Sequence, residues 1–194
     1  MKSNKYNIIG IGGNARVGKD SIADGFVEIL ESNGISAQKI SFANELKRSV
    51  DSFLIEQIGI SAFTSDSEEK KLIRPFLVTW GTEIMRKIND NIWIEKIQES
   101  FDLNKVNIIA DMRFMNELNF IKDNKGLCVF LERPDIPPAN EYEKNINPEI
   151  RRQCDLDFSM SKLEEPSLIK SVAGEILNNL TNEEIIKSWK ATCH

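Results

Sequence analysis

Gly13, Gly18 and Lys19 stand in the spacing glycine, four residues, glycine, lysine, and that spacing describes a backbone built to hold phosphate. Glycines let successive N–H groups of the stretch Gly13-Asn14-Ala15-Arg16-Val17-Gly18 turn inward as an anion nest. A helix opening at Lys19-Asp20-Ser21 would add its positive dipole end, and the Lys19 ammonium would reach the terminal phosphates. The position after the lysine, where a hydroxyl usually ligates Mg²⁺, is Asp20, and the hydroxyl follows at Ser21. Asp20 could hold the ion through a water molecule, or Ser21 could ligate it directly; the residues alone leave both open.

A second group lies far along the chain. Asp111 follows the apolar run Val106 to Ala110 and could bind magnesium through water or orient a substrate hydroxyl; the plainer alternative is a helix N-cap. Arg113 could clamp a phosphate with paired hydrogen bonds, or form a surface ion pair with Glu117. Between the two groups, Gly81 sits inside a helical pattern, where glycine costs about 1 kcal/mol relative to alanine. That position implies close approach of another helix or of a planar base. Trp80 and Trp93 are core residues by default, and Trp93 could instead stack near a base. Lys47, Arg151 and Arg152 could touch phosphate, whereas Arg48 reads as solvated charge.

The elements that must position these residues can be read in order. Tyr6 to Ile11 is an apolar strand, followed by the glycine-rich turn and a helix from Ile22 to Leu30. Ala37 to Ala43 is a second strand, and Asn44 would cap a helix through Leu54. Phe63 to Glu69 reads as a loop, Leu72 to Ile88 as a helix, and Asn91 opens another through Ile97. Strands at Val106 to Ala110, Leu127 to Leu131 and Leu156 to Met160 alternate with helices from about Asn116 to Asp123, Pro166 to Leu177 and Thr181 to Lys190. Arg133 to Cys154 holds four of the six prolines and little periodicity, so a lid-like loop is expected around residues 133–155. The alternation predicts a parallel sheet covered on both faces, with ligands beyond the strands' carboxyl ends.

Composition narrows the chemistry. The chain has 194 residues, 41% hydrophobic and 28% charged, which suits one globular domain over 1–194. A formal net charge of -5 argues against a nucleic-acid polymer as partner. No apolar run approaches membrane-spanning length and no signal core is visible, so the cytoplasm is the expected location. Cys128, Cys154 and Cys193 make no metal-ligand spacing, and the one histidine is His194. Catalysis must therefore run on carboxylates, lysine, arginine and a metal ion.

Together the motifs resemble the bacteriophage-type deoxynucleoside monophosphate kinases of the P-loop kinase superfamily. The matching runs are Gly18-Lys19-Asp20-Ser21, Phe42-Ala43 with Leu46-Lys47, Trp80-Gly81-Thr82-Glu83, Trp93, Ile108 to Glu117, and Arg133-Pro134. The resemblance implies a three-layer P-loop NTPase fold with a mostly five-stranded parallel sheet. It also implies ATP phosphates at Gly13 to Ser21, Mg²⁺ near Asp20 and Ser21, and catalytic roles for Lys19, Asp20, Asp111 and Arg113. A deoxynucleoside 5'-monophosphate would lie among Lys47, Arg74, Gly81, Thr82, Trp93, Asp111, Arg113 and Glu117, in a homodimer located in the host cytoplasm if the chain is phage-encoded. Pro75 and Val78 depart from that pattern, and its His-x-Ser/Thr-Glu segment has only Asn140-Glu141-Tyr142-Glu143 nearby. Two other readings stand beside it: a P-loop kinase for another small phosphorylated metabolite, and a nucleotide-binding regulatory protein that has lost transfer.

Overall fold

The structure, a computed structural model, describes residues 7–161 and 165–193. Its elements in chain order are β1 (Asn7–Gly13), α1 (Lys19–Ser32), β2 (Ala37–Ile40), α2 (Phe42–Ile58), α3 (Ser67–Val78), a π-helical stretch Thr79–Met85, α4 (Arg86–Ile88) and α5 (Ile92–Ile97). There follow a 3-10 turn Gln98–Ser100, β3 (Val106–Ile109), α6 (Met115–Asp123), β4 (Leu127–Glu132), α7 (Glu141–Gln153), β5 (Leu156–Ser159), α8 (Pro166–Leu180) and α9 (Glu183–Thr192). Where one domain is expected, the chain divides into two compact units, Met1–Ile40 with Phe101–His194, and Ser41–Ser100. Tyr6 and His194 lie outside the described residues.

The first unit is built on a five-stranded sheet in the order β2-β3-β1-β4-β5, parallel at every pairing. Its central strands are mostly apolar because helices cover both faces, and the buried Asn107 of β3 donates to Asp102 O and Lys105 O at 2.9 and 3.0 Å. Ile9 and Ile11 of β1 point into a core shared with Phe26 of α1 and with Ile176 and Leu177 of α8. The alternate residues face the other way, and a side chain at Gly10 would strike Ile121 Cδ1 of α6 at 2.4 Å. Three layers result, as the alternation predicts. Because β1 is central, its carboxyl end opens between the ends of β3 and β4, with Gly10 level with Ile109 and Gly13 level with Leu131.

One expectation fails in this unit. The segment expected to be a lid-like loop contains helix α7, started by Asn140, whose Oδ1 accepts from Glu143 N–H at 2.8 Å. The residues α7 buries are Glu143, Asn147 and Ile150, at helical spacing but mostly polar, so apolar periodicity could not reveal it.

The second unit is helical. Ser41, not Asn44, caps α2: its Oγ accepts from Asn44 N–H at 3.3 Å. Helix α3 starts at Ser67 rather than Leu72 because Asp66 Oδ1 accepts from Glu68 and Glu69 N–H, both at 2.9 Å. Val50, Leu54, Ala62 and Ile73 form a buried cluster, with Phe76, Leu77 and Trp80 packed against it. The expected helix through Ile88 is continuous but widens into the π-helical stretch at Thr79–Met85. No helix among the described residues is long and apolar enough to cross a membrane.

Candidate functional site

The phosphate loop leaves β1 at Gly13 and returns as α1 at Lys19. Gly13 has φ of +132° and Gly18 φ of +109°, so both ends of the loop use backbone that L side chains rarely adopt. At Gly13 a Cβ would also lie 2.3 Å from the Leu131 carbonyl oxygen of the neighbouring strand. Arg16, exposed at the tip, takes the left-handed region as well, at φ +65°. Val17 is buried, and its N–H donates to Asn14 O at 3.3 Å, closing the turn. Helix α1 starts without a side-chain cap, which leaves its positive end to whatever lies before it.

Lys19 is 7% exposed, with Nζ donating to Gly13 O and Asn14 O, each at 2.7 Å. Burial pushes its ammonium down to about 8; the nearby Arg113 adds to the fall, while Glu143, Asp111 and Asp20 oppose it. That set identifies the groups that share one electrostatic site: Lys19 and Asp20 after β1, Asp111 and Arg113 after β3, and Glu143 from α7. Asp20 is exposed and lies 3.7 Å from Lys39 Nζ, which makes a closer pair with Asp24 at 2.6 Å. Ser21 is half-buried in the first turn of α1. Among the described residues no three His, Cys, Asp or Glu side chains group as a metal site. Asp20 and Ser21 are the oxygen-bearing side chains at the start of α1 that could hold a metal ion.

Asp111 is half-buried just past β3 and does not cap α6, whose N-cap is Phe114. Glu117 is 2% exposed and its Oε2 accepts from the N–H groups of Arg113 and Phe114 at 2.7 and 3.1 Å. It therefore fixes the backbone carrying Arg113. The Arg113 side chain is half-exposed, with Nη1 3.6 Å from Glu143 Oε1.

The remaining expected acceptor residues belong to the second unit. Lys47 lies over the Phe63 ring at 5.5 Å, Arg74 is exposed on α3, and Thr82 is half-buried in the π-helical stretch. Gly81 answers the close-approach question in favour of a neighbouring helix: a Cβ there would lie 2.1 Å from Leu46 Cδ1 of α2. Trp93 is 2% exposed and its Nε1–H donates to Gly81 O at 3.0 Å. It is a core residue bracing the widened helix. The arginines of α7 are engaged in the fold: Arg151 spans Glu132 at 2.9 Å and Asp157 at 2.6 Å, and Arg152 pairs with Glu149.

Two functional candidates have no role assigned by the reading of the sequence, where Glu143 figures only in the Asn140-Glu141-Tyr142-Glu143 run near the place of a His-x-Ser/Thr-Glu segment. Glu143 is 4% exposed, and its Oε2 accepts from Ala15 N–H at 3.2 Å and Ala139 N–H at 2.9 Å. One turn on, Asn147 Nδ2 donates to Asn14 Oδ1 at 2.7 Å, and Asn14 Nδ2 donates to Ile136 O at 2.9 Å. The available signal was Asn140 three residues before Glu143, a helix-start spacing.

The family model of phosphomevalonate kinase matches residues 11–126, more than half of the chain. No curated protein matches the sequence. Shikimate kinase from Bacteroides thetaiotaomicron is similar in fold, with TM-score 0.54, 15% identity, and coverage of 89% of this chain and 96% of that one. The Acinetobacter baumannii shikimate kinase in complex with shikimate gives TM-score 0.51 at 13% identity, covering 91% and 96%. That of Aquifex aeolicus gives 0.51 at 16%, covering 89% and 95%. The sheet, its strand order and its loop thus form a P-loop kinase fold.

Proposed function

The chain belongs to the phosphomevalonate kinase family, and on that premise we propose that it transfers the γ-phosphoryl group of ATP to a phosphate oxygen of a small phosphorylated metabolite; the motif resemblance, not the family match, makes that metabolite a deoxynucleoside 5'-monophosphate. The observation that carries this reading is the convergence of two cations, Lys19 and Arg113, from the ends of adjacent strands β1 and β3, close enough for one to lower the proton affinity of the other. A guanidinium beside the loop lysine suits the charge carried by a phosphoryl group in transfer.

In this reading ATP phosphates lie along Gly13 to Ser21, Mg²⁺ is held from Asp20 and Ser21, and ATP supplies the phosphoryl group. Lys19 and Arg113 neutralise charge on the transferred group, and Glu117 keeps Arg113 in place through its backbone N–H. Asp111 would orient the acceptor or help to hold Mg²⁺ through water. An acceptor phosphate oxygen is already anionic, so no strong base is required, which agrees with a chain whose one histidine is His194. The deoxynucleotide assignment draws on the Trp80-Gly81-Thr82-Glu83 and Asp111-to-Glu117 motifs. The resemblance behind it also supplies a homodimer, which sedimentation of the full chain would test.

A second reading, a phosphomevalonate-like acceptor, is favoured by the family model, which runs from β1 through α6. A coupled ADP-release assay across deoxynucleoside and ribonucleoside monophosphates and phosphomevalonate separates the two. ADP formation with a deoxynucleotide supports the first reading, and formation with phosphomevalonate alone supports the second. ATP binding with no acceptor-dependent ADP would sink both and leave a nucleotide-binding regulator.

A further inference from the structure

We propose that Glu143 is a positioning residue: its carboxylate ties the phosphate loop after β1 to the guanidinium of Arg113 after β3, and so aims Arg113 at the phosphoryl group that Lys19 holds. The inference rests on the kinase reading above, which gives Arg113 its target.

A carboxylate only 4% exposed needs partners, because unpaired buried charge is strongly unfavourable. Glu143 divides its two oxygens. Oε2 takes the N–H groups of Ala15, inside the phosphate loop, and of Ala139, just before α7. Oε1 faces Arg113 Nη1 at 3.6 Å, a distance of ion pairing rather than of a saturating hydrogen bond. The guanidinium is steered by charge while its forked donors stay suited to a phosphate. The anchoring is firm on the other side, since Asn147 on the same face of α7 holds Asn14 at 2.7 Å. Helix α7 thus grips two consecutive loop residues, 14 and 15, and presents one carboxylate oxygen to Arg113.

The charges explain why an acid is needed there. Lys19 and Arg113 are both cations and repel one another before phosphate arrives. Glu143 acts in the opposite sense on Lys19, ahead of Asp111 and Asp20, so it is the largest of three counter-charges beside the two cations. An amide at the same position would accept the same N–H bonds and supply no charge.

Glu143→Gln is therefore the discriminating variant, measured in the full chain. We expect ATP affinity by calorimetry and the thermal midpoint to stay near the wild type, while kcat with the accepted phosphorylated substrate falls about tenfold or more. In an Arg113→Ala background the same change should cost less than about twofold, since the interaction is already gone. A second measurement needs no acceptor: the ¹⁵N resonance of Arg113 Nε–H, identified by its loss in Arg113→Ala, should exchange faster with solvent in Glu143→Gln without nucleotide. Additive kinetic losses, or an unchanged Arg113 resonance, would overturn the proposal. A wild type that phosphorylates no acceptor would overturn the kinase reading instead, and the resonance measurement then decides the role of Glu143.

Discussion

Lys19 carries the most consequential single charge in the molecule. In an isolated chain its ammonium would titrate at 10.5; in the fold, burial first and Arg113 second bring it to about 8. The sign follows from linkage: below about pH 8 the folded state bears the cost of a buried ammonium, and stability rises between 8 and 10.5 as that proton is lost only from the native protein. Nucleotide binding works the other way, because phosphates favour the charged form. ATP affinity should therefore fall as pH rises through 8, with proton uptake on binding at pH 8.5 visible as a binding heat that depends on the buffer's ionisation enthalpy. A buffer-independent heat at that pH would contradict this. Lys19→Ala should lower turnover by about a hundredfold or more, in the range of lost transition-state charge stabilisation. Arg113→Ala should lower kcat comparably while leaving ATP affinity within about threefold; intact phosphorylation in that variant would remove it from the proposed clamp.

Among the elements, the helix around Gly81 and helix α7 show opposite lessons. Gly81 is legible as a position where something comes close, but the identity of the neighbour is a tertiary fact: Leu46 of α2, with Trp93 bracing the Gly81 carbonyl from α5. Gly81→Ala should overpack against Leu46 at a cost of about 1–3 kcal/mol, offset by about 1 kcal/mol of helix propensity, the net read from the urea midpoint, and Leu46→Ala should relieve part of the overpacking. A net gain of stability would mean that Leu46 moves aside freely. Helix α7 was hidden because its inward face docks on a polar loop and so carries Glu143 and Asn147 instead of leucines. Asn140→Ala should remove its cap at about 1 kcal/mol, and faster hydrogen exchange at the α7 amides is the measurement that checks it.

At the scale of the whole molecule, the two units differ in the cores they contain. The sheet unit buries a continuous cluster running from Ile9 and Phe26 through Ile108 and Val129 to Ile176 and Trp189. The unit Ser41–Ser100 has the smaller cluster of Val50, Leu54, Ala62 and Ile73. Less buried apolar surface means cheaper local opening. Native-state hydrogen exchange should find amides of α2 and α3 exchanging through openings of lower free energy than those of β1, β3 and β4. Equal protection in the two units would show that they open together. The expected acceptor residues Lys47, Arg74 and Thr82 lie in the unit predicted to open more readily, and Lys19, Asp111 and Arg113 in the other.

The amino-acid sequence by itself determined the parallel α/β sheet, the phosphate loop and the placement of Asp111 and Arg113 at a strand end. Those features are local: apolar periodicity and glycine spacing act within a few residues, so they are written in consecutive positions. Only the tertiary structure decided that Glu143, 128 residues beyond Ala15, joins the loop, that Glu117 serves backbone N–H groups, and that Trp93 is a brace. The reason is physical. A buried polar group takes its meaning from the partner that satisfies it, and that partner is chosen by the fold, not by its neighbours in the chain.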